Sequence, residues 1–197
     1  GNLYGNSLSV INTSSDAVDY TISTAPYSYP AGMTVSPDGS RVYFALAGSN
    51  AMGIIDTTLQ TLIGTVPVGN NPTNLAVSPD GSQVYVVNHG SATTADPGSI
   101  TVVDTSTKTA LGNISVGIGP WQVVFSPDGK NTYASPSVSN ATVSIDTITR
   151  AVTTIPIGKG PYWTSVNPSG KHVYANSPPN GTVSIIGGKS LRYSPAA

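Results

Sequence analysis

Phe125-Ser126-Pro127-Asp128-Gly129-Lys130-Asn131-Thr132-Tyr133 decides how this chain is read, because three variants of it stand elsewhere. They are Val35-Ser36-Pro37-Asp38-Gly39-Ser40-Arg41-Val42-Tyr43, Val77-Ser78-Pro79-Asp80-Gly81-Ser82-Gln83-Val84-Tyr85 and Val166-Asn167-Pro168-Ser169-Gly170-Lys171-His172-Val173-Tyr174. Pro37, Pro79, Pro127 and Pro168 lie 42, 48 and 41 residues apart. Each copy has turn chemistry. Ser opens the turn, Pro pre-sets φ at the second position, Asp takes the third, and Gly adopts the left-handed conformation that closes a hairpin.

An apolar run precedes each turn, such as Gln122-Val123-Val124-Phe125, and an alternating run carrying the tyrosine follows it, such as Gln83-Val84-Tyr85-Val86-Val87. These are strands A and B of a repeat unit. Strand C aligns five times without gaps: Asn6 to Asn12, Asn50 to Asp56, Gly98 to Asp104, Asn140 to Asp146 and Asn180 to Ile186. After Asp56, Asp104 and Asp146 comes a strand D, which ends in a Gly-containing loop and Pro72, Pro120 or Pro161. A period of about 42 residues built from four short strands predicts an all-β propeller, or a propeller segment, of four-stranded antiparallel blades.

The inventory is four A, four B, five C and four D strands, with no D strand expected after the last C, in Lys189 to Ala197. Leu191-Arg192-Tyr193-Ser194-Pro195 resembles an A strand that could pair beside residues 1–24. Residues 1–197 read as a single repeat domain of four Ser-Pro units plus a leading C–D pair, for which an excerpt of a longer propeller is favoured over a small self-closed ring or a partial ring completed by neighbouring chains.

Composition narrows the function. Gly 21 and Pro 16 are spread through the chain and leave no stretch for a long helix. Eight Lys plus Arg against nine acids, with charged residues at only 9%, do not concentrate the positive charge a nucleic-acid surface needs. No apolar run approaches the roughly 20 residues of a membrane span. Zero Cys leaves the redox compartment open, while scarce charge among many Ser, Thr and Asn points to an exported protein.

The units resemble the YVTN-type β-propeller repeat. Val84-Tyr85-Val86-Val87-Asn88, Val102-Val103-Asp104-Thr105 and Val116-Gly117 carry the likeness, which extends over residues 6–186. Asn167-Pro168-Ser169-Gly170 departs from the pattern, and the last C strand lacks its Asp-Thr. The resemblance implies a non-catalytic extracellular or cell-surface scaffold and interaction domain, similar to propellers of surface-layer proteins. Its partners would be proteins, glycans or copies of itself. The alternatives are a glycan-binding module and part of a lactonase- or dehydrogenase-like propeller enzyme, since one fold hosts many functions.

The residues themselves favour no catalytic role. All nine acids are Asp: Asp38, Asp80 and Asp128 occupy turns, Asp56, Asp104 and Asp146 occupy strand ends, and Asp16, Asp19 and Asp96 are scattered. No acid/base pair is nominated. His89 and His172 belong to different units, so no metal and no cofactor is expected. Tyr27, Tyr29, Trp121, Tyr162 and Trp163 follow strand D and are expected near one mouth of a channel, where they either pack between adjacent blades, the favoured reading, or stack on a sugar or grip a partner. Tyr43, Tyr85, Tyr133 and Tyr174 read as core. Asn-x-Ser/Thr stands at Asn12, Asn113, Asn140 and Asn180. Asn140 and Asn180 are the better glycan acceptors because they share one loop position in successive units.

Overall fold

In the computed structural model, residues 1–91, 93 and 95–187 are described in full and 190–195 as backbone. Strands β1 (Ser7–Asn12) and β2 (Ala17–Ser23) form a two-stranded sheet. The first full blade holds β3 (Pro30–Val35), β4 (Arg41–Leu46), β5 (Ala51–Asp56) and β6 (Thr61–Pro67). The second holds β7 (Pro72–Val77), β8 (Gln83–Asn88), β9 (Ser99–Asp104) and β10 (Thr109–Ile114). The third holds β11 (Pro120–Phe125), β12 (Asn131–Pro136), β13 (Ala141–Asp146) and β14 (Val152–Pro156). The fourth holds β15 (Thr164–Val166), β16 (Val173–Ser177), β17 (Thr182–Gly187) and β18 (Ser190–Pro195). Every neighbouring pair is antiparallel, in sequence order. This is an all-β propeller architecture.

Two sequence expectations are corrected. The described residues hold eighteen strands, one more than the inventory, because residues 190–195 do form the last D strand. They pair with β17 from Gly187↔Ser190 to Thr182↔Pro195, not as an A strand beside residues 1–24. The segment lacks the family's D-strand ending, so only backbone pairing to β17 identifies it.

The repeated turn explains its own residues. Ser36 Oγ donates to Asp38 Oδ1 at 2.6 Å and accepts from the Arg41 amide at 2.9 Å, so one hydroxyl links the carboxylate to the returning strand. Ser78 with Asp80 and Ser126 with Asp128 repeat this. In the divergent fourth turn, Asn167 Oδ1 takes over by accepting from the His172 amide at 3.0 Å. Gly129 has φ +70° and stands where a Cβ would lie 3.5 Å from Pro79 Cδ of the preceding blade's turn. Successive Ser-Pro turns therefore lean on one another.

The Asp-Thr turns are equally local. Asp56 Oδ1 accepts from the amides of Thr58 and Leu59 at 2.9 and 2.8 Å. Thr57 Oγ1 donates to the Gly39 carbonyl at 2.8 Å and ties the two turns of one blade together. Thr105 with Gly81 and Thr147 with Gly129 do the same. The turns between strands A and B thus share one edge of the structure with those between C and D. The D-to-A and B-to-C loops meet at the other, as in the His89 amide bond to the Asn71 carbonyl.

Blades bury apolar side chains against each other. Tyr43, Met52, Ile54 and Val66 meet Leu75, Val84, Val86 and Val103 between the first and second blades. Tyr85, Val87, Ile100 and Val102 meet Val123, Ala134, Val143 and Ile145 between the second and third. Burying each such side chain stabilises the fold by about 1.5–3 kcal/mol. The β1–β2 pair adds Leu8 and Ile22 against Phe44 and Leu46.

Candidate functional site

The aromatic residues after strand D do not make one platform. Trp121, second residue of β11, stacks on Tyr162 at 6.1 Å between centroids and 25° between planes. His89 covers Trp121 from the second blade at 4.5 Å. His89, Trp121 and Tyr162 therefore form a row across three blades on the edge where D-to-A and B-to-C loops meet. The sequence reading missed His89, because its place beside Trp121 depends on blade packing. His89 follows β8 directly, and that position was the available signal.

Tyr29 lies elsewhere, edge-on to Tyr4 at 6.1 Å. Tyr27 packs into the cluster around Leu8 and Phe44, and its hydroxyl accepts from Thr65 Oγ1 at 3.2 Å. Trp163 is 51% exposed and stands apart from the stack, on the free face of the fourth blade. There it borders an open cleft with Gln122, Tyr174, Asn176 and Val183.

That free face repeats positions that are core elsewhere. Tyr174 and Val183 correspond to Tyr85 and Ile100, both fully buried by the third blade, yet they are 38% and 42% exposed. The expectation that Tyr174 is core is corrected here: no blade among the described residues lies against it. Tyr43 and Tyr85 are core, and Tyr133 is half-buried beside a cleft.

The sequons differ in availability. Asn140 and Asn180 are exposed in the loops between strands B and C. Asn113 sits on the outer strand β10, where its Oδ1 accepts from Thr101 Oγ1 at 2.7 Å. Asn12 Oδ1 accepts from the Ser14 amide at 2.9 Å.

The carboxylates are engaged in holding turns. The Ser36 hydroxyl, with the amide and hydroxyl of Ser40, holds Asp38 at about 2. Ser78 and Ser126 lower Asp80 and Asp128 in the same way, while backbone amides lower Asp56, Asp104 and Asp146. Asp96, in the inserted loop, accepts from Asn70 Nδ2 at 2.6 Å and from Ser91. Among the described residues no three His, Cys, Asp or Glu side chains gather as a metal-holding group. None of the helices there is long and apolar enough to cross a membrane.

Four-stranded blades with an aromatic row on one edge define a β-propeller-like protein, and the comparisons with known proteins agree. Residues 57–119 match the family model of the Choice-of-anchor I domain. Hydrazine synthase of Kuenenia stuttgartiensis is similar with a TM-score of 0.86 and 24% identity, over 98% of this chain and 61% of that one. A candidate 6-phosphogluconolactonase from Bacteroides uniformis follows at TM-score 0.76 and 16% identity, over 98% and 65%. The dihydro-heme d1 dehydrogenase NirN has TM-score 0.77 and 18% identity, over 98% and 41%. This chain thus spans less than two thirds of each of these structures, and the likeness is one of fold. No curated protein matches it.

Proposed function

We propose that this chain is a non-catalytic scaffold and interaction domain of an extracellular or cell-surface protein, built from YVTN-type repeats and forming part of a larger propeller. The observation that carries the reading is the free face of the fourth blade. Trp163, Tyr174 and Val183 present there the pattern that buries Tyr85 and Ile100 two blades earlier. Exposed apolar surface of this kind marks an interface. The Choice-of-anchor I match over residues 57–119 supports a place at the cell surface. The share of each solved structure that the chain spans supports a larger ring.

Radical footprinting tests this on the full-length protein from its native source. Trp163 and Tyr174 should be oxidised several-fold more slowly there than in the 197-residue chain. Equal rates would leave the face open and sink the interface reading. Turnover of a lactone or redox substrate by the purified chain would overturn the non-catalytic part.

A second reading has support from the row of His89, Trp121 and Tyr162, whose rings could take a sugar or a partner side chain. Trp121→Ala should then cost about 2 kcal/mol of binding. Asn140 or Asn180 is proposed to carry sugar in secreted native material. Glycopeptide mapping that finds both unmodified would remove that proposal.

A further inference from the structure

The seam between the third and fourth blades breaks the pattern of the two before it. On the leading face, Val87, Ile100 and Val102 of the second blade are replaced in the third by Ser135, Thr142 and Ser144. On the following face, Val123 and Val143 of the third blade become Thr164 and Ser184 in the fourth. Five apolar side chains have given way to five hydroxyls at the same register. Ser135 and Thr164 bond to each other across the seam. Ser184 Oγ is buried with no hydrogen-bond partner among the described residues. Such a group is costly unless something polar reaches it.

The seam also opens outward. At the end where the Ser-Pro turns meet, it holds two joined clefts of about 420 and 400 Å³ that share Tyr133, Gly170 and Lys171. Each is within the size range of ligand pockets. Clefts stand at the equivalent places of the two earlier seams as well, about 420 Å³ beside Tyr43 and about 280 Å³ where the Phe125 ring lies against Tyr85 at 4.9 Å. At the third seam the cleft continues into the second one, over Ser144 and Thr153. The fourth blade has Val166 where the third has Phe125.

The lining groups suit a hydrophilic ligand. Tyr133, Ser144 and Thr153 lie on one cross-strand row of the third blade. Asn131 and Asp128 stand on one rim, and Lys171 on the other. Asp128 Oδ1 is held by Ser126 and the Lys130 amide, and its Oδ2 has no hydrogen-bond partner among the described residues. Among the described residues, no other side chain holds the amide of Asn131, the hydroxyls of Tyr133, Ser144 and Thr153, or the ammonium of Lys171. One carboxylate and one ammonium give the cleft no net sign, which disfavours polyanions. The many hydroxyl and amide groups disfavour an apolar guest. Alternating donors and acceptors beside a flat phenol ring match a neutral pyranose, which offers hydroxyls around its rim and C–H groups on its face.

We propose that this cleft between the third and fourth blades binds a neutral sugar, through Tyr133, Ser144, Thr153, Asn131 and Lys171. The site lies at the edge of the Ser-Pro turns, opposite the edge that carries the row of His89, Trp121 and Tyr162. It is independent of that row and of the scaffold reading.

Saturation-transfer NMR with galactose, mannose, N-acetylglucosamine and, as an acidic control, glucuronate tests the site. At least one neutral sugar should receive saturation from the unaltered chain, with glucuronate weaker. Val166→Phe, which places in this seam the ring that narrows the previous one, should weaken binding at least about tenfold. Asn131→Ala, on the exposed rim, should weaken it several-fold and supplies the answer should Val166→Phe not fold. Trp121→Ala should leave it unchanged. No transfer to any neutral sugar would overturn the proposal, as would binding undiminished by Asn131→Ala and by folded Val166→Phe. Loss of binding in Trp121→Ala alone would move the sugar to the aromatic row and overturn it as well.

Discussion

The ring of Tyr85 meets the ring of Phe125 edge-on, 4.9 Å between centroids at 78°, and in doing so joins the second blade to the third. Edge-to-face pairs of this kind contribute about 0.5–1.5 kcal/mol beyond the area they bury. Tyr133 stands at the same repeat position as Tyr85, and Val166 at that of Phe125. The ring narrows the cleft between successive turns, to about 280 Å³ at the Phe125 seam against about 420 Å³ at the seams where Val77 and Val166 take its place.

Phe125→Val should widen the cleft at the second seam and destabilise the protein by about 2 kcal/mol, less than a fully buried Phe→Ala, because Phe125 is only partly buried. Urea unfolding with an unchanged slope would give the size of the effect. A midpoint equal to that of the unaltered chain would mean that the ring pair contributes little.

Tyr85→Phe should do the opposite. The Tyr85 hydroxyl is buried without a hydrogen-bond partner among the described residues, and desolvating such a group costs about 1–3 kcal/mol. The variant should melt at the same temperature or higher, by calorimetry. A fall of several degrees would reveal a partner for the hydroxyl, such as bound water.

Gly129→Ala and Gly64→Ala form a matched pair. Gly129 needs its left-handed φ of +70°, which costs a side-chain-bearing residue about 1–2 kcal/mol. Gly64 has open space around an added Cβ and no such φ. Its substitution should change stability by no more than about 0.5 kcal/mol. Comparable losses in both would mean that the turn conformation is not what selects glycine at Gly129.

Stability should fall in acid. Asp38 is lowered from 3.8 to about 2, and Asp80, Asp104, Asp128 and Asp146 are lowered too. The unfolded chain therefore binds more protons than the folded one in this window. The carboxylates' contribution is fully present above about pH 4 and is lost as pH falls toward 2. Thermal melts from pH 7 to pH 2 should show this drop, and Asp38→Asn should flatten it. A flat profile in the unaltered chain would contradict the turn bonds.

The chemistry of the two turns was legible in the residues themselves, since Ser-Pro-Asp-Gly and Asp-Thr close through bonds spanning no more than five residues. Strands A, B and C could be placed for the same reason: turns and two-residue alternation are local properties. Strand β18 was not legible, because a D strand is defined by the strand it pairs with and its own residues lack the repeat's ending.

Tertiary structure alone decided what the repeated side chains do. Tyr85, Tyr133 and Tyr174 carry the same letter at the same repeat position. One is sealed by Phe125, one borders an open cleft, and one faces no blade among the described residues. Trp121 and Trp163 likewise follow their prolines almost alike, yet only Trp121 joins the row with His89 and Tyr162. The physical reason is that a blade face acquires its environment from the next blade in space. Sequence by itself fixes which residues share a face, while burial, stacking and cleft depend on whatever that face meets.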